Sequence, residues 1–184
     1  MGNPREELDY RMEREKKVLI IIPAYNEAEN IEKVVNNLIE NYPQYDYIII
    51  NDGSTDQTAE VCRKQRYQVL NLPINMGIGG AVQTGYCYAW DKGYDYAVQI
   101  DGDGQHDVAF LAKMLECMEK EQADCVIGSR FVEREGFQSS SLRRTGITFL
   151  SVLGWLLTGV RVKDITSGYR LVNRRFIGIF AKDY

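Results

Sequence analysis

The sequence predicts an α/β fold with a mostly parallel central sheet covered by helices on both faces. Three observations predict it: short continuous runs of β-branched residues and Leu, apolar stripes of helical period between those runs, and the regular alternation of the two along 184 residues. A hydrophobic content of 45% with 26% charged and 11% aromatic residues is far from the composition of a disordered chain, and the length suits one domain with a sizeable core. No internal repeat of solenoid length is present.

Met1 to Lys17 holds five basic and five acidic residues with little apolar periodicity, so it reads as an exposed helix or arm preceding a domain over 18–184. Val18 to Ile22 is an unbroken apolar run of the kind a strand buried on both faces requires, ended by Pro23. Ile31, Val34, Val35, Leu38 and Ile39 fall at i, i+3, i+4, i+7 and i+8, one apolar helix face closed before Pro43. The alternation continues with a strand over Tyr47 to Ile50, a helix over Asp56 to Lys64, a strand over Gln68 to Leu72, a helix over Gly80 to Asp91 and a strand over Tyr96 to Ile100. Leu111, Met114, Leu115 and Met118 mark the next helix, Cys125 to Ile127 a further strand, and Arg174 to Lys182 a last helix.

Several function classes are excluded at this level. His106 is the one histidine, which removes Ser-His-Asp and Cys-His nucleophilic catalysis and leaves no zinc ligand set. The four cysteines, Cys62, Cys87, Cys117 and Cys125, lack CxxC spacing and are expected to be reduced packing residues. No apolar run reaches the roughly 18 to 20 residues that cross a bilayer, and the charged start is no signal peptide, so a soluble, cytosolic chain is expected. Net charge is −4, unevenly spread: residues 1–129 carry twelve Lys and Arg against twenty-two Asp and Glu, whereas 130–184 carry ten against four. A basic last third suits an anionic partner, a solvated face being the blander alternative.

In open α/β sheets ligands bind beyond the carboxyl ends of the strands. There the sequence places Pro23-Ala24-Tyr25-Asn26-Glu27 after the first strand, Asn51-Asp52-Gly53-Ser54-Thr55-Asp56 after the second, and Asp101-Gly102-Asp103-Gly104-Gln105 after the fourth. Any one could be a turn, with Asp56 capping its helix. Three at one sheet edge crowd carboxylates that repel each other unless a cation or donor compensates them. Asp101 and Asp103 straddle a glycine with Gln105 two residues on, the outline of a hard-cation site. It is no EF-hand, since His106 stands where the loop needs Gly and Ala112 where it needs Glu. Asn75-Met76-Gly77-Ile78-Gly79-Gly80 superficially matches a dinucleotide fingerprint, but Val82 occupies its last glycine position and the turn follows the third strand. Its glycines are expected to allow close helix and sheet packing, with lining of the ligand pocket as the alternative.

These motifs, with Gly128-Ser129-Arg130 and Asp164-Ile165-Thr166-Ser167-Gly168-Tyr169-Arg170, occur in an order and spacing that resembles the inverting family 2 glycosyltransferases of GT-A fold. Within that family the chain is most similar, from about Lys17 to Tyr184, to the dolichyl-phosphate mannosyltransferase and polyprenyl-phosphate glycosyltransferase branch. The resemblance implies a Rossmann-like three-layer sandwich that binds a nucleotide-diphosphate sugar, UDP- or GDP-linked. Pro23, Tyr25, Glu27 and Asp52 would line its nucleoside end, with Asp101 and Gly102 completing the donor site. Asp101, Asp103 and Gln105 would hold Mg²⁺ or Mn²⁺ on the diphosphate. Arg130, Arg143, Arg144 and Arg170, with Ser167, would meet the acceptor phosphate or the leaving diphosphate, and Asp164 is a possible base for a sugar-hydroxyl acceptor, a group that a phosphate acceptor does not need. Ile78 departs from a lysine that many relatives carry near the donor phosphates.

The implied reaction is metal-dependent, inverting hexosyl transfer to a polyprenyl phosphate at the cytoplasmic face of a membrane, with Asp103, Arg130, Asp164 and Arg170 as its catalytic set. No nucleic-acid partner is expected. Transfer to a sugar hydroxyl in glycan assembly, or nucleotide-sugar binding without turnover, are the alternatives. Arg143 to Val160 reads as a helix apolar nearly all round, either core or interfacial beside a bilayer, and Phe131 to Ser141 as a lid-like loop. Relatives typically continue past the position of Tyr184, so a domain truncated at its C-terminus is expected.

Overall fold

The computed structural model describes residues 16–101, 108–128 and 168–183. Six strands form one sheet: β1 (Val18–Ala24), β2 (Asp46–Asn51), β3 (Val69–Asn71), β4 (Tyr96–Gln99), β5 (Cys125–Ile127) and β6 (Arg170–Asn173), in the order β3-β2-β1-β4-β6-β5. The helices are α1 (Ile31–Asn41), α2 (Thr58–Gln65), α3 (Gly77–Asp91), α4 (Leu111–Glu121) and α5 (Arg174–Phe180), with a 3₁₀ turn at Val108–Phe110 before α4. β1 pairs in parallel with both β2 and β4, and β2 in parallel with β3.

All seven residues of β1 are buried, and their alternation divides the core in two. Val18, Ile20, Ile22 and Ala24 pack with Ile31, Val35 and Leu38 of α1, Cys62 of α2, and Leu111, Met114 and Met118 of α4. Leu19 and Ile21 face the other way, onto Ala81, Val82, Tyr86 and Ala89 of α3 and Ile177 of α5. Burying each of these Leu and Ile side chains contributes about 1.5–3 kcal/mol, which is why the run carries no polar residue. Gly85 lets α3 lie flat on this face, because a Cβ there would overlap Ile21 Cγ2.

The strand continues through Pro23, two residues beyond its expected end. Ile21 O accepts from Ile100 N on the β4 side, whereas Ala24 O accepts from Asp52 N on the β2 side. By that alternation the missing Pro23 N–H faces β4 past Gln99, the last β4 residue in the β1 register, so no ladder bond is lost.

β6 has no counterpart among the expected strands. It inserts antiparallel between β4 and β5, pairing Gln99 with Arg170 on one side and Ile127 with Arg170 on the other. Its two central residues, Leu171 and Val172, are fully buried on opposite faces. The sheet is therefore mixed, with β5 held away from β4. Asn173 ends β6 and caps α5, its Oδ1 accepting from Phe176 N at 3.1 Å.

The cysteine expectation holds only in part. All four are free thiols and Cys62 is buried, but Cys87 and Cys117 are exposed, since they lie on the solvent sides of α3 and α4. Of the N-terminal arm only Lys16 and Lys17 are described. Both are exposed, yet Lys16 Nζ donates to Glu119 Oε1 at 2.8 Å and to Tyr96 OH at 3.0 Å, while Lys17 N donates to Asp95 Oδ2 at 2.9 Å. No helix among the described residues is long and apolar enough to cross a membrane. The loop expected over 131–141 and the apolar helix expected over 143–160 lie outside the described residues.

Candidate active site

Strand order reverses at β1, which has β2 and β3 on one side and β4 on the other, so the carboxyl end of β1 is the switch point where a crevice opens. A cleft of about 380 Å³ lies there, lined by Pro23, Ala24, Tyr25, Glu27, Asp52, Asn75, Gly77, Ile78, Ala81 and Asp101. Pro23, Tyr25, Glu27, Asp52 and Asp101 thus share one cleft.

Three loops make its walls, and each is fixed by its own sequence. Asp52 is 3% exposed, and its Oδ1 accepts from Met76 N at 2.7 Å, tying the β2 loop to the turn before α3. Among the described residues nothing donates to its second oxygen. Gly53 follows with φ +63, and a Cβ there would sit 2.6 Å from Asn75 N and 2.7 Å from Ile74 C. Only glycine allows both the left-handed backbone and that approach. Glu27 Oε2 accepts from Asn30 Nδ2 at 2.9 Å, and Glu27 O receives the amides of Asn30 and Ile31 as α1 begins.

Asn26 and Asp56 stitch the first two loops together. Asp56 does not cap its helix from the terminal position, which Gln57 occupies; its Oδ1 accepts from Thr58 N at 2.9 Å and from Thr58 Oγ1, and its Oδ2 from Ala28 N at 3.2 Å. Burial pushes the Asp56 carboxyl up, but the hydrogen bonds from Thr58 and Ala28 outweigh it and hold the group below its ordinary value.

Asp101 leaves β4 at the cleft, and the antiparallel insertion of β6 brings the later motifs to it. A Cβ on Gly168 would lie 3.2 Å from Asp101 Oδ1 and 3.3 Å from Gln99 Nε2, so the Gly168 backbone rests against the carboxylate. Gly128 N donates to Tyr169 O at 2.8 Å, and a side chain on Gly128 would overlap the Tyr169 ring. Three motifs far apart in sequence therefore meet at one corner of the sheet. Arg170 pairs with Gln99 and shares the sheet face of Val172, the α3 face, but it is not among the residues lining the cleft. Gly102, Asp103, Gln105, Arg130, Arg143, Arg144, Asp164 and Ser167 lie outside the described residues.

Of the glycines that open α3, Gly77 lines the cleft, whereas Gly80 lies close to Met76, an added Cβ standing 2.6 Å from Met76 Cβ. α3 starts at Gly77, three residues before its expected start, and Gly77 (φ +76) and Gly79 have open space where a Cβ would go. Asn75, Gly77, Ile78 and Ala81 form a wall of the cleft; Gly77 bears out the pocket-lining alternative for this motif, and Ala81 was not singled out in the sequence.

An open α/β sheet with carboxylates gathered at its switch point defines a ligand-binding α/β domain. The chain matches the glycosyl transferase family 2 model over residues 19–179 and belongs to that family. It is a family 2 glycosyltransferase domain, with relatives in the polyprenyl-phosphate branch. It is 31% identical to the UDP-N-acetylglucosamine–dolichyl-phosphate N-acetylglucosaminyltransferase of Methanococcus voltae, over 91% of this chain and 74% of that one. It is 30% identical to the polyprenol monophosphomannose synthase of Mycolicibacterium smegmatis, over 88% of this chain and 63% of that one. Identity to the undecaprenyl-phosphate mannosyltransferase of Micrococcus luteus is 32%, over 84% and 65%. The chain thus spans under two thirds of the length of the latter two.

Among solved structures, glucosyl-3-phosphoglycerate synthase of Mycobacterium tuberculosis, in complex with Mn²⁺, UDP-glucose and phosphoglyceric acid, superposes with a TM-score of 0.68 at 19% identity, over 90% of this chain and 63% of that one. A mannosyltransferase of Pyrobaculum calidifontis in complex with GDP-mannose and Mn²⁺ gives 0.55 at 21% identity, over 64% and 36%. Both share the GT-A type of fold.

Proposed function

We propose that this domain transfers a hexosyl group, with inversion, from a nucleotide-diphosphate sugar to a polyprenyl phosphate at the cytoplasmic face of a membrane. The observation that carries the reading is the meeting of Asp52, Glu27 and Asp101 in one switch-point cleft, with the Gly168–Arg170 segment against Asp101. The acceptor classes in the names of the relatives support the lipid phosphate.

The donor's nucleoside sits between the first two loops, where Glu27 and Asp52 each have one oxygen engaged by the protein and offer acceptors to base or ribose. Asp101 marks the diphosphate end. A carboxylate oxygen is a hard ligand, and the neighbouring Gly168 brings no side chain against it, so the residue suits a hard cation that shares its shell with phosphate. Asp101, with Asp103 and Gln105, would hold Mg²⁺ or Mn²⁺, which when bound supplies charge neutralisation to the departing diphosphate.

An oxygen of the acceptor phosphate attacks the anomeric carbon as the bond to the donor diphosphate breaks, and the electron pair leaves with the nucleoside diphosphate. With a second pKa near ~6 the acceptor is largely dianionic at neutral pH, so no proton has to move and no general base is needed. Arg170 and the other arginines of the basic last third would hold the two phosphates, a task suited to a planar fork that never loses its charge.

The test supplies labelled UDP-glucose, UDP-N-acetylglucosamine or GDP-mannose with Mn²⁺ and vesicles carrying polyprenyl phosphate. Label moving into the organic phase, and lost with EDTA, is the expected result. Label appearing only on a water-soluble glycan would overturn the acceptor assignment, and full transfer in EDTA would overturn the metal.

A further inference from the structure

The first two walls of the cleft are joined by a reciprocal set of hydrogen bonds centred on a residue that does not line it. Three consecutive amides of the first loop each donate to a side chain of the second: Asn26 N to Ser54 Oγ at 2.9 Å, Glu27 N to Thr58 Oγ1 at 2.9 Å, and Ala28 N to Asp56 Oδ2 at 3.2 Å. One side chain returns the exchange. Asn26 Oδ1 accepts from Thr55 N at 2.9 Å, from Asp56 N at 3.3 Å and from Thr55 Oγ1 at 3.4 Å. Asn26 also has φ +57, a left-handed backbone at the point where the chain leaves β1, and its neighbours on both sides, Tyr25 and Glu27, line the cleft.

We infer that Asn26 is a positioning residue for donor binding: its left-handed backbone and its side-chain oxygen together fix Tyr25 and Glu27 against the Asp52 loop. The residue type follows from the two demands. A left-handed φ favours Gly, Asn and Asp, and only the latter two add an acceptor able to reach neighbouring amides. Gly would meet the first demand alone, Ser or Thr the second alone. The oxygen at position 26 receives donors only, and among the described residues Asn26 Nδ2 forms no hydrogen bond, so a carboxylate can replace the amide.

Tyr25 is 48% exposed and Glu27 half-buried, so core packing does not hold them; the loop backbone does. Removing the acceptor therefore loosens the nucleoside wall without disturbing the two cores, which lie on β1 and its helices. This inference rests on the reading of the cleft as a nucleotide site.

The experiment compares wild type, Asn26→Gly and Asn26→Asp by calorimetry with UDP and with GDP in Mn²⁺, alongside thermal melts of each. Asn26→Gly keeps the backbone and deletes the acceptor; the dissociation constant of the preferred nucleotide should rise roughly tenfold, the scale of about one net hydrogen bond passed on to the wall that binds it. Asn26→Asp should recover most of that loss. In a transfer assay Asn26→Gly should raise the KM for donor and leave that for acceptor unchanged. A merely structural role would lower the melting temperature of Asn26→Gly while leaving nucleotide affinity intact at a temperature where both proteins are folded, and that result overturns the inference. Equal loss in Asn26→Gly and Asn26→Asp overturns it too. If wild type binds neither nucleotide, the nucleotide reading itself fails and takes this inference with it.

Discussion

Gly53, Gly77 and Gly93 all have left-handed backbones, with φ of +63, +76 and +75, but only Gly53 has neighbours where a side chain would go. Replacing each by Ala separates two costs. The left-handed backbone alone costs an Ala about 1–2 kcal/mol. Gly77→Ala and Gly93→Ala should pay that and little else, since nothing lies within 4 Å of either added Cβ. At Gly53 the Cβ would stand 2.6 Å from Asn75 N and 2.7 Å from Ile74 C, so the 74–76 backbone must retreat. That retreat pulls Met76 N from Asp52 Oδ1, now 2.7 Å apart, and losing this buried charged hydrogen bond costs about 1–3 kcal/mol more. The expected total for Gly53→Ala is roughly 3 kcal/mol, a fall in melting temperature of about 6–12 °C for a domain of this size against about 2–8 °C for the other two. Urea titrations read the stabilities, and calorimetry with nucleotide reads the cleft. Gly53→Ala should weaken nucleotide binding as well as stability, whereas Gly93→Ala, remote from the cleft, should weaken stability alone. Equal losses of stability at Gly53 and Gly93 would refute the close approach, and unchanged nucleotide affinity in folded Gly53→Ala would refute the link from the 74–76 turn to the cleft.

Two further outcomes follow from packing and charge. Gly85→Ala should destabilise by about 1–3 kcal/mol because its Cβ would overlap Ile21 Cγ2, and combining it with Ile21→Ala should cost less than the two separate losses added, as a double-mutant cycle by denaturant will show. The hydrogen bonds that hold the Asp56 carboxyl below its ordinary value stabilise the folded state above the unfolded pKa, about 3.9, and that contribution is lost as pH falls through the lower folded value. Asp56→Asn should therefore be less stable than wild type at neutral pH, with the gap closing in melts run below about pH 4; a gap that widens in acid would reverse the assigned sign.

Most of the fold was legible because each buried element has one period and one job. Val18 to Ile22 could only be a strand covered on both faces, and the Ile31 to Ile39 stripe could only be a helix laid against it, as Ile20, Ile22, Val35 and Leu38 now are. β6 was hidden for a physical reason. Four residues with Leu171 and Val172 at the centre carry no measurable period, and their pairing partners lie about 45 and 70 residues earlier in the chain, with nothing local to announce them. The start of α3 was misplaced because Gly77, Gly79 and Gly80 are poor helix formers, and the residues around them are read as turn; of the three, Gly77 lines the cleft.

The site was legible as a list of residues before it was legible as an arrangement. Carboxylates directly after buried parallel strands had to share one rim, and Glu27, Asp52 and Asp101 do. What the sequence could not express is which group holds which. Asp52, read from the sequence as a ligand acceptor, is the anchor of the Met76 turn through Oδ1. Asn26 stood inside a quoted motif with no role, because its role is a set of hydrogen bonds to residues 54–56, not a chemistry of its own. The same limit applies to Gly128 and Gly168. The Tyr169 ring occupies the space a side chain on Gly128 would take, and Asp101 and Gln99 close tightly on Gly168, contacts created only when β6 folds back between β4 and β5. Antiparallel insertion of one short strand is thus what carries Gly168 against Asp101 at the cleft. A variant that unpairs β6, such as Leu171→Pro, should lose catalysis and stability together, since a proline removes a ladder donor from a central strand, where it is not tolerated. Retained transfer in that variant would show that the corner formed by Gly128, Gly168 and Asp101 is scaffolding with no part in the reaction.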